Sequence, residues 1–557
     1  MSKRIPSNIL ITILISLSII AVFLISEYFI TKGQINVPLD DVYIHFEFSR
    51  NLANGKGFSF IPGNSTPGST SPLWTILLSI LYFFLKNHIL ISKLLSAFFY
   101  IASGILMYLY CNHFFKKKSL SLTTTIMFLL TGRFAWSALS GMEITSFTTF
   151  LLLFLLFNIK RKPIYLQSFI LGVASLLRPE GYILFVFFIF SELIINLKKY
   201  NNYNSMLYII NSILLYIIII IPYLAFSYKT TGNLLPNTFL AQSISSYSVI
   251  FRIKLAFLYL FRFLYLIFTD NPIIAIGIPY GIYNIFRYIK QKNLNYLVFI
   301  LITLGFPLIE SIIAPNLRHH GRYIMPFIPI YTLIGFYGLN QYFSLIKKQI
   351  TQFMSLLILN LVIIITISYL FFDKKIFLII SIIMILISLL IFTIANKFKS
   401  LVKNIIRKKE IIYISLSFIY LFILLGNWAY TFGYNVKNIN DMHVKIGYWV
   451  KESTSCEDQI ALHDIGAITY ISQRNIIDMV GLVSPDVLTV LKGTTKENRE
   501  EPLWNYLKNK KPEYIIIIPS WYPNISQKNE LTEVYRIELD KYTIVDGEMV
   551  VYKTDFD

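Results

Sequence analysis

"PLDDVYIHFEFSRNLANGKGFSF", residues 38–60, sets two adjacent carboxylates, Asp40 and Asp41, just after a long apolar run. That run, 9–30, is long enough to cross a bilayer of about 30 Å as a helix. It is too long for a signal-peptide core, and Glu27-Tyr28 is not a small-residue cleavage site. It therefore reads as a first transmembrane helix, with 31–71 as the loop beyond it. Similar apolar runs recur through residues 1–432. The chain is 55% hydrophobic and 14% charged, against about 25% charged in soluble domains. The expected fold class is a polytopic α-helical membrane protein.

The net charge of +20 is unevenly spread. Residues 433–557 hold 14 Lys and Arg against 19 Asp and Glu, a net of −5, leaving +25 for the rest. Lys and Arg mark cytoplasmic loops, so the basic excess speaks for topology and against nucleic-acid binding. Basic loops at 114–119, 159–163, 197–200, 285–292, 346–349 and 397–410, with Lys3 and Arg4, are assigned inside, and 31–71 outside. Parity then makes 72–86 a juxtamembrane or partial helix. Residues 250–268, carrying Arg252, Lys254 and Arg262, become an interfacial helix. About 13 spans follow from this counting: near 7–30, 89–112, 119–133, 143–159, 164–178, 180–197, 205–228, 270–287, 294–313, 323–341, 353–371, 375–395 and 411–431. The expected location is the cell (inner or plasma) membrane, with the N-terminus cytoplasmic. Cys111 and Cys456 fall on opposite sides, which excludes a disulfide framework.

Residues 433–557 change character. "DQIALHD" (458–464), "RNIIDMVG" (474–481) and "PEYIIIIPS" (512–520) have strand patterns, and "TEVYRIEL" and "EMVVYKT" alternate with period two. "HVKIGYWVKES" (443–453) and "PLWNYLKNK" (502–510) have helix patterns. Two domains are expected: 1–432 in the membrane and a small extracytoplasmic α/β domain over 433–557.

Only 11 acidic residues occur before 433. Charges near a bilayer are costly and usually functional. This topology puts Asp40, Asp41, Glu47, Glu143, Glu180 and Glu310 toward the external side. His45, Arg50, Arg133, Arg178, Arg318, His319, His320 and Arg322 lie there too. A carboxylate can take the proton of an attacking hydroxyl, and arginines can hold a leaving phosphate. Together they describe sugar transfer from a lipid phosphate to a hydroxyl. A transporter or flippase for a lipid-linked saccharide uses the same residue types. Plainer roles stand beside these. Asp40 and Asp41 suit the N-terminus of the following helix, Arg318 and Arg322 suit headgroup anchoring, and His319 and His320 suit satisfied polar positions. No cofactor is indicated; Asp40, Asp41 and a histidine are the one candidate set for a divalent cation.

The stretch "LDDVYIHFEFSRNLANGKGFSFIPGNSTPGSTSPLW" (39–74) resembles the first external loop of GT-C superfamily glycosyltransferases. "SGMEIT" (140–145), "LLRPEG" (176–181), "TGNLLPNTFLAQ" (231–242), "HHGRYIMPFIPIY" (319–331) and "HDIGAITYISQRNIIDMVGLVSPDV" (463–487) are similar to later family segments. The pattern is nearest the arabinofuranosyltransferase-like, polyprenyl-phosphate-mannose-type bacterial branch. The resemblance implies an inverting transferase that uses a polyprenyl-phosphate sugar. Its acceptor is an extracytoplasmic glycan, lipid or protein. By position it makes Asp40 the base, with Asp41 the close second. It gives Arg178, Arg318 and Arg322 to the donor phosphate, and His45, Glu143, Glu180, Asn237 and His320 to the sugar or acceptor. One departure is Gln242, where relatives often carry Lys.

Overall fold

The computed structural model describes residues 6–200, 203–232, 234, 249–291, 294–313, 315, 318–345, 349–371, 383, 409–491, 493–494 and 498–556. It is a helical membrane bundle with a small sheet region near its C-terminus. Helix α1 (Ser7–Ile30) packs against α4 (His88–Phe115). Five described helices are long and apolar enough to span a membrane: Ser7–Ile30, His88–Phe115, Glu180–Lys198, Tyr203–Thr231 and Glu410–Ser453. Several other apolar helices are shorter, among them α7 (Ile144–Ile159), α8 (Ile164–Leu177) and α13 (Leu297–Ile313). The expected 119–133 span is two pieces, α5 (Lys118–Leu129) and α6 (Gly132–Ser137). The expected 375–395 span lies outside the described residues apart from residue 383.

Residues 72–86 form a 14-residue helix, α3 (Pro72–Leu85), too short to cross a bilayer at about 1.5 Å per residue. Helix α11 (Val249–Asp270) buries Tyr259, Phe263 and Ile267 and leaves Lys254 and Arg262 exposed. Helices α12 (Pro272–Lys290) and α14 (Ile328–Leu345) meet through glycines. A Cβ at Gly277 would stand 2.1 Å from the Gly335 carbonyl oxygen. Close backbone contact of this kind is the usual packing device where lipid removes the hydrophobic drive between helices.

The first loop explains its own composition. In α2 (Asp41–Ala53), nine consecutive or near-consecutive side chains from Val42 to Asn51 are buried. Val42, Tyr43 and Phe46 face the bundle core, while Ile44 and Phe48 join a second core beneath the sheet. The helix is thus sandwiched between two layers, and each large side chain buried there contributes about 1.5–3 kcal/mol.

The sheet runs β4-β3-β5-β7-β6. Strands β3 (Gln459–Leu462), β4 (Asn475–Asp478) and β5 (Tyr514–Ile517) are parallel, with Ile460 opposite both Ile476 and Tyr514. β7 (Glu548–Thr554) runs antiparallel to β5 and to β6 (Leu531–Glu538). Helix α16 (Lys409–Ile439) leads from the bundle into this region through a π-helical turn, Asn440–Val444, and α17 (Lys445–Ser453). Helix α18 (Gly466–Ser472) follows β3, and α19 (Pro485–Val490) and α20 (Glu500–Lys510) precede β5. Cys111 is buried and Cys456 exposed, both as free thiols.

Candidate active site

Asp40 sits where the first loop meets the sheet region. Its side chain makes no capping bond to α2. It accepts instead the backbone N–H of Gly466 and of Ala467, each at 2.7 Å, at the start of α18. The expected capping of the following helix is thus not made by Asp40, whose carboxylate is drawn to amides 426 residues away in sequence. A Cβ at Gly466 would lie 2.1 Å from the Asp40 carbonyl oxygen. Gly466→Ala is expected to pry this joint apart at about 1–3 kcal/mol, the usual cost of overpacking, read as a lower melting temperature of the purified protein.

Burial pushes the Asp40 carboxyl up to about 6; the Asp464 charge adds to this, while His443 and the two amides oppose it. A carboxyl raised above its unfolded value gives stability that is complete below about pH 4 and lost as pH rises through about 6. Asp40→Asn removes that titration. Its melting temperature is expected to be flat between pH 4 and 7, where the unmodified chain falls, after subtraction of the other groups' common slope.

Asp41 behaves differently. Its side chain is 35% exposed and receives Arg322 Nη1 at 2.6 Å. Desolvation opposes its charge, but Arg322 and His319 outweigh that and hold the carboxyl below its ordinary range. Arg322 also donates to the Tyr323 hydroxyl at 3.3 Å. Asp41 and Arg322 are thus an ionised pair with one edge open.

Behind them stands a closed network. Arg178 donates through Nη1 to Glu143 at 2.6 Å and through Nη2 and Nε to Glu180 at 2.6 and 3.1 Å. All three are buried. Their placement follows from two helix ends: α7 begins just after Glu143, and Arg178-Pro179 separates α8 from α9 (Glu180–Ile195). Proline cannot continue the helix before it, so "LLRPEG" turns Arg178 inward. The second Glu143 oxygen faces His45 Nε2 at 3.6 Å, while His45 Nδ1 meets the Ser69 hydroxyl at 3.3 Å.

The structure thus brings together Asp41, His45, Glu143, Arg178, Glu180 and Arg322. His320 lies apart: its Nε2 contacts Asn435 at 3.0 Å, and its carbonyl accepts from Arg133. The Arg318 side chain and all of Asn237 and Gln242 lie outside the described residues. Sequence reasoning missed Asp464, which meets His443 Nε2 at 3.0 Å and His463 Nε2 at 3.6 Å. It also missed Asp270, which holds Arg133 at 2.9 Å, and the buried pair of Lys93 with Glu27 at 2.7 Å. An acid directly after a strand, as in "IALHD", was the one available signal for Asp464.

Asp40 is engaged by amides and Asp41 by a guanidinium, so the doublet does not offer a cation a ligand set. Among the described residues no group of three or more His, Cys, Asp and Glu side chains is arranged to hold a metal.

Comparison with known proteins agrees with the fold. A family model described as a domain of unknown function, DUF8728, matches residues 435–552. No curated protein matches the chain in sequence. Among solved structures, ArnT from Cupriavidus metallidurans in the apo state is similar at a TM-score of 0.56 and 12% identity, over 96% of this chain and 97% of that one. The same protein bound to undecaprenyl phosphate gives 0.54 and 11%, over 96% and 97%. The Archaeoglobus fulgidus oligosaccharyltransferase, in complex with Zn and sulfate, gives 0.53 and 10%, over 91% and 67%. At these identities the likeness is one of fold.

Proposed function

We propose that this chain is an inverting glycosyltransferase that moves a sugar from a polyprenyl-phosphate donor to a hydroxyl of an extracytoplasmic glycan, lipid or protein. The observation that carries the reading is the open Asp41–Arg322 pair, backed by the closed Glu143–Arg178–Glu180 network, on a GT-C bundle. The undecaprenyl phosphate bound by one structural neighbour supports a lipid of that class as donor.

The steps follow from the charges. A donor phosphate entering beside Arg322 competes with Asp41 for the guanidinium. As Arg322 turns to the phosphate, Asp41 loses its counter-charge and becomes a stronger base. Asp41 then takes the proton of the acceptor hydroxyl, whose oxygen bonds the anomeric carbon from the face opposite the phosphate. The bond between that carbon and the phosphate oxygen breaks, and the lipid phosphate leaves with its charge on Arg322. Arg178, saturated by two carboxylates, holds the wall in shape and does not bind phosphate. Asp40 fastens the sheet region to the first loop, so the base is Asp41. The site faces outward in a cell membrane, the N-terminus lies in the cytoplasm, and residues 433–557 form the extracytoplasmic domain.

The test uses purified protein with a panel of radiolabelled polyprenyl-phosphate sugars and delipidated envelope glycan as acceptor. Release of free polyprenyl phosphate with label moving into glycan supports the reading. If every donor stays intact but lipid-linked sugar crosses reconstituted vesicles, the chain is a flippase and the reading falls.

A further inference from the structure

Of the six tryptophans, Trp74, Trp136 and Trp504 are buried, and Trp428 and Trp449 partly so. Trp521 is 43% exposed. It stands in the turn Pro519–Trp521, just past the carboxyl end of β5. Its neighbour across that end is His463, which follows β3, with ring centroids 5.1 Å apart. His463 is followed by Asp464, whose side chain is 23% exposed. Two residues further, the Gly466 amide holds Asp40, next in the chain to Asp41. An unbroken row therefore runs Trp521, His463, Asp464 and the Asp40–Asp41 doublet.

The topology makes this row a natural binding edge. β3 pairs with β4 on one side and β5 on the other, all parallel. The α18 residue Ile468 packs on one face of the sheet, and α20 residues Leu503, Trp504 and Leu507 on the other. The chain thus reverses its winding direction at β3, and ligands of open α/β sheets bind outside the carboxyl ends at such a point.

The turn that carries the indole is also tied down. The Asp546 carboxylate accepts from the neighbouring Ser520 hydroxyl and from the Gly547 amide, which ties this turn to the segment before β7. An exposed aromatic face with a carboxylate along the same row is the chemistry that recognises a pyranose or furanose ring. The apolar C–H face stacks on the indole, and hydroxyls donate to Asp464. Large aromatics supply such contact area at low entropic cost.

We propose that Trp521 and Asp464 form a subsite for the saccharide part of the acceptor and lead its hydroxyl toward Asp41. The proposal rests on the transferase reading for its purpose, and its test contains no donor, so the two can fail separately.

The full chain is placed in lipid nanodiscs. Acrylamide quenching of the Trp521 emission is taken as the difference between the unmodified protein and Trp521→Phe. Neutral hexose, pentose and N-acetylhexosamine tri- to pentasaccharides are added in turn. Protection by one or more of them is expected. Equilibrium dialysis of that labelled oligosaccharide should then show binding weakened about tenfold in Trp521→Ala and in Asp464→Asn, as for loss of a central aromatic or charged contact. If Trp521→Ala does not fold, Trp521→Phe serves in the dialysis, with a smaller loss. Absence of protection by every oligosaccharide overturns the proposal. So does quenching of the Trp521 emission by lipids brominated near the headgroup, which would assign the indole to the bilayer surface.

Discussion

Asp41→Asn is expected to lower sugar transfer by about a thousandfold, within the 10²–10⁴ that a positioned base contributes, while the purified protein keeps its melting temperature. Amide and carboxylate are nearly isosteric, so Arg322 can still donate to the remaining carbonyl oxygen. What is lost is the proton acceptor. The Asp41 side chain is 35% exposed, and the buried Arg322 keeps its hydrogen bonds to the remaining oxygen and to the Tyr323 hydroxyl, so the fold is little affected. Asp40→Asn gives the opposite pattern. One of its two amide bonds, to Gly466 or Ala467, is replaced by a donor facing a donor, so stability falls more than the chemical step. Initial rates at saturating donor, with a melting curve for each variant, separate the two. An Asp41→Asn enzyme with more than a tenth of the original rate would move the base to another group, Asp464 first.

Arg178→Met is expected to give the largest loss of stability, about 3–5 kcal/mol, as when one partner of a buried ionic network is removed. The guanidinium is the counter-charge of Glu143 and Glu180 together. Removing it leaves two carboxylates within one wall of the bundle, each repelling the other. The readout is the yield of monodisperse protein in detergent and its melting temperature. A triple change, Arg178→Met with Glu143→Gln and Glu180→Gln, should recover much of the lost stability, because it removes the orphaned charges. If Arg178→Met folds normally but loses only donor binding, the arginine holds phosphate after all and its assignment as a wall residue fails.

The motifs differ in how far the chain alone could interpret them. The break between the expected spans 164–178 and 180–197 was legible at "LLRPEG", because proline acts on its immediate neighbours. That Arg178 is already spent on two carboxylates was not legible, because Glu143 comes from 35 residues away. The doublet at 40–41 was legible as important, since two charges beside a membrane span demand a reason. Which of the two is open was not, because that depends on α18. Arg133 likewise looked like one more outward arginine until Asp270 closed on it. The span count suffers from the same limit. Short apolar helices such as Ile144–Ile159 satisfy no length rule and are held in place by neighbours.

By itself the sequence determined the class of this protein: a helical membrane bundle, a charge-bearing first loop and a C-terminal strand-rich region. Those features are written in hydropathy period, charge placement and local turn chemistry, each of which acts within a few residues. Only the tertiary structure decided the division of labour within the doublet. Asp40 is committed because the amides of Gly466 and Ala467 arrive from over 400 residues away, and Asp41 instead meets Arg322 with its side chain 35% exposed. A carboxylate's role is set by which donors meet it in space, and those donors come from parts of the chain that local pattern does not connect.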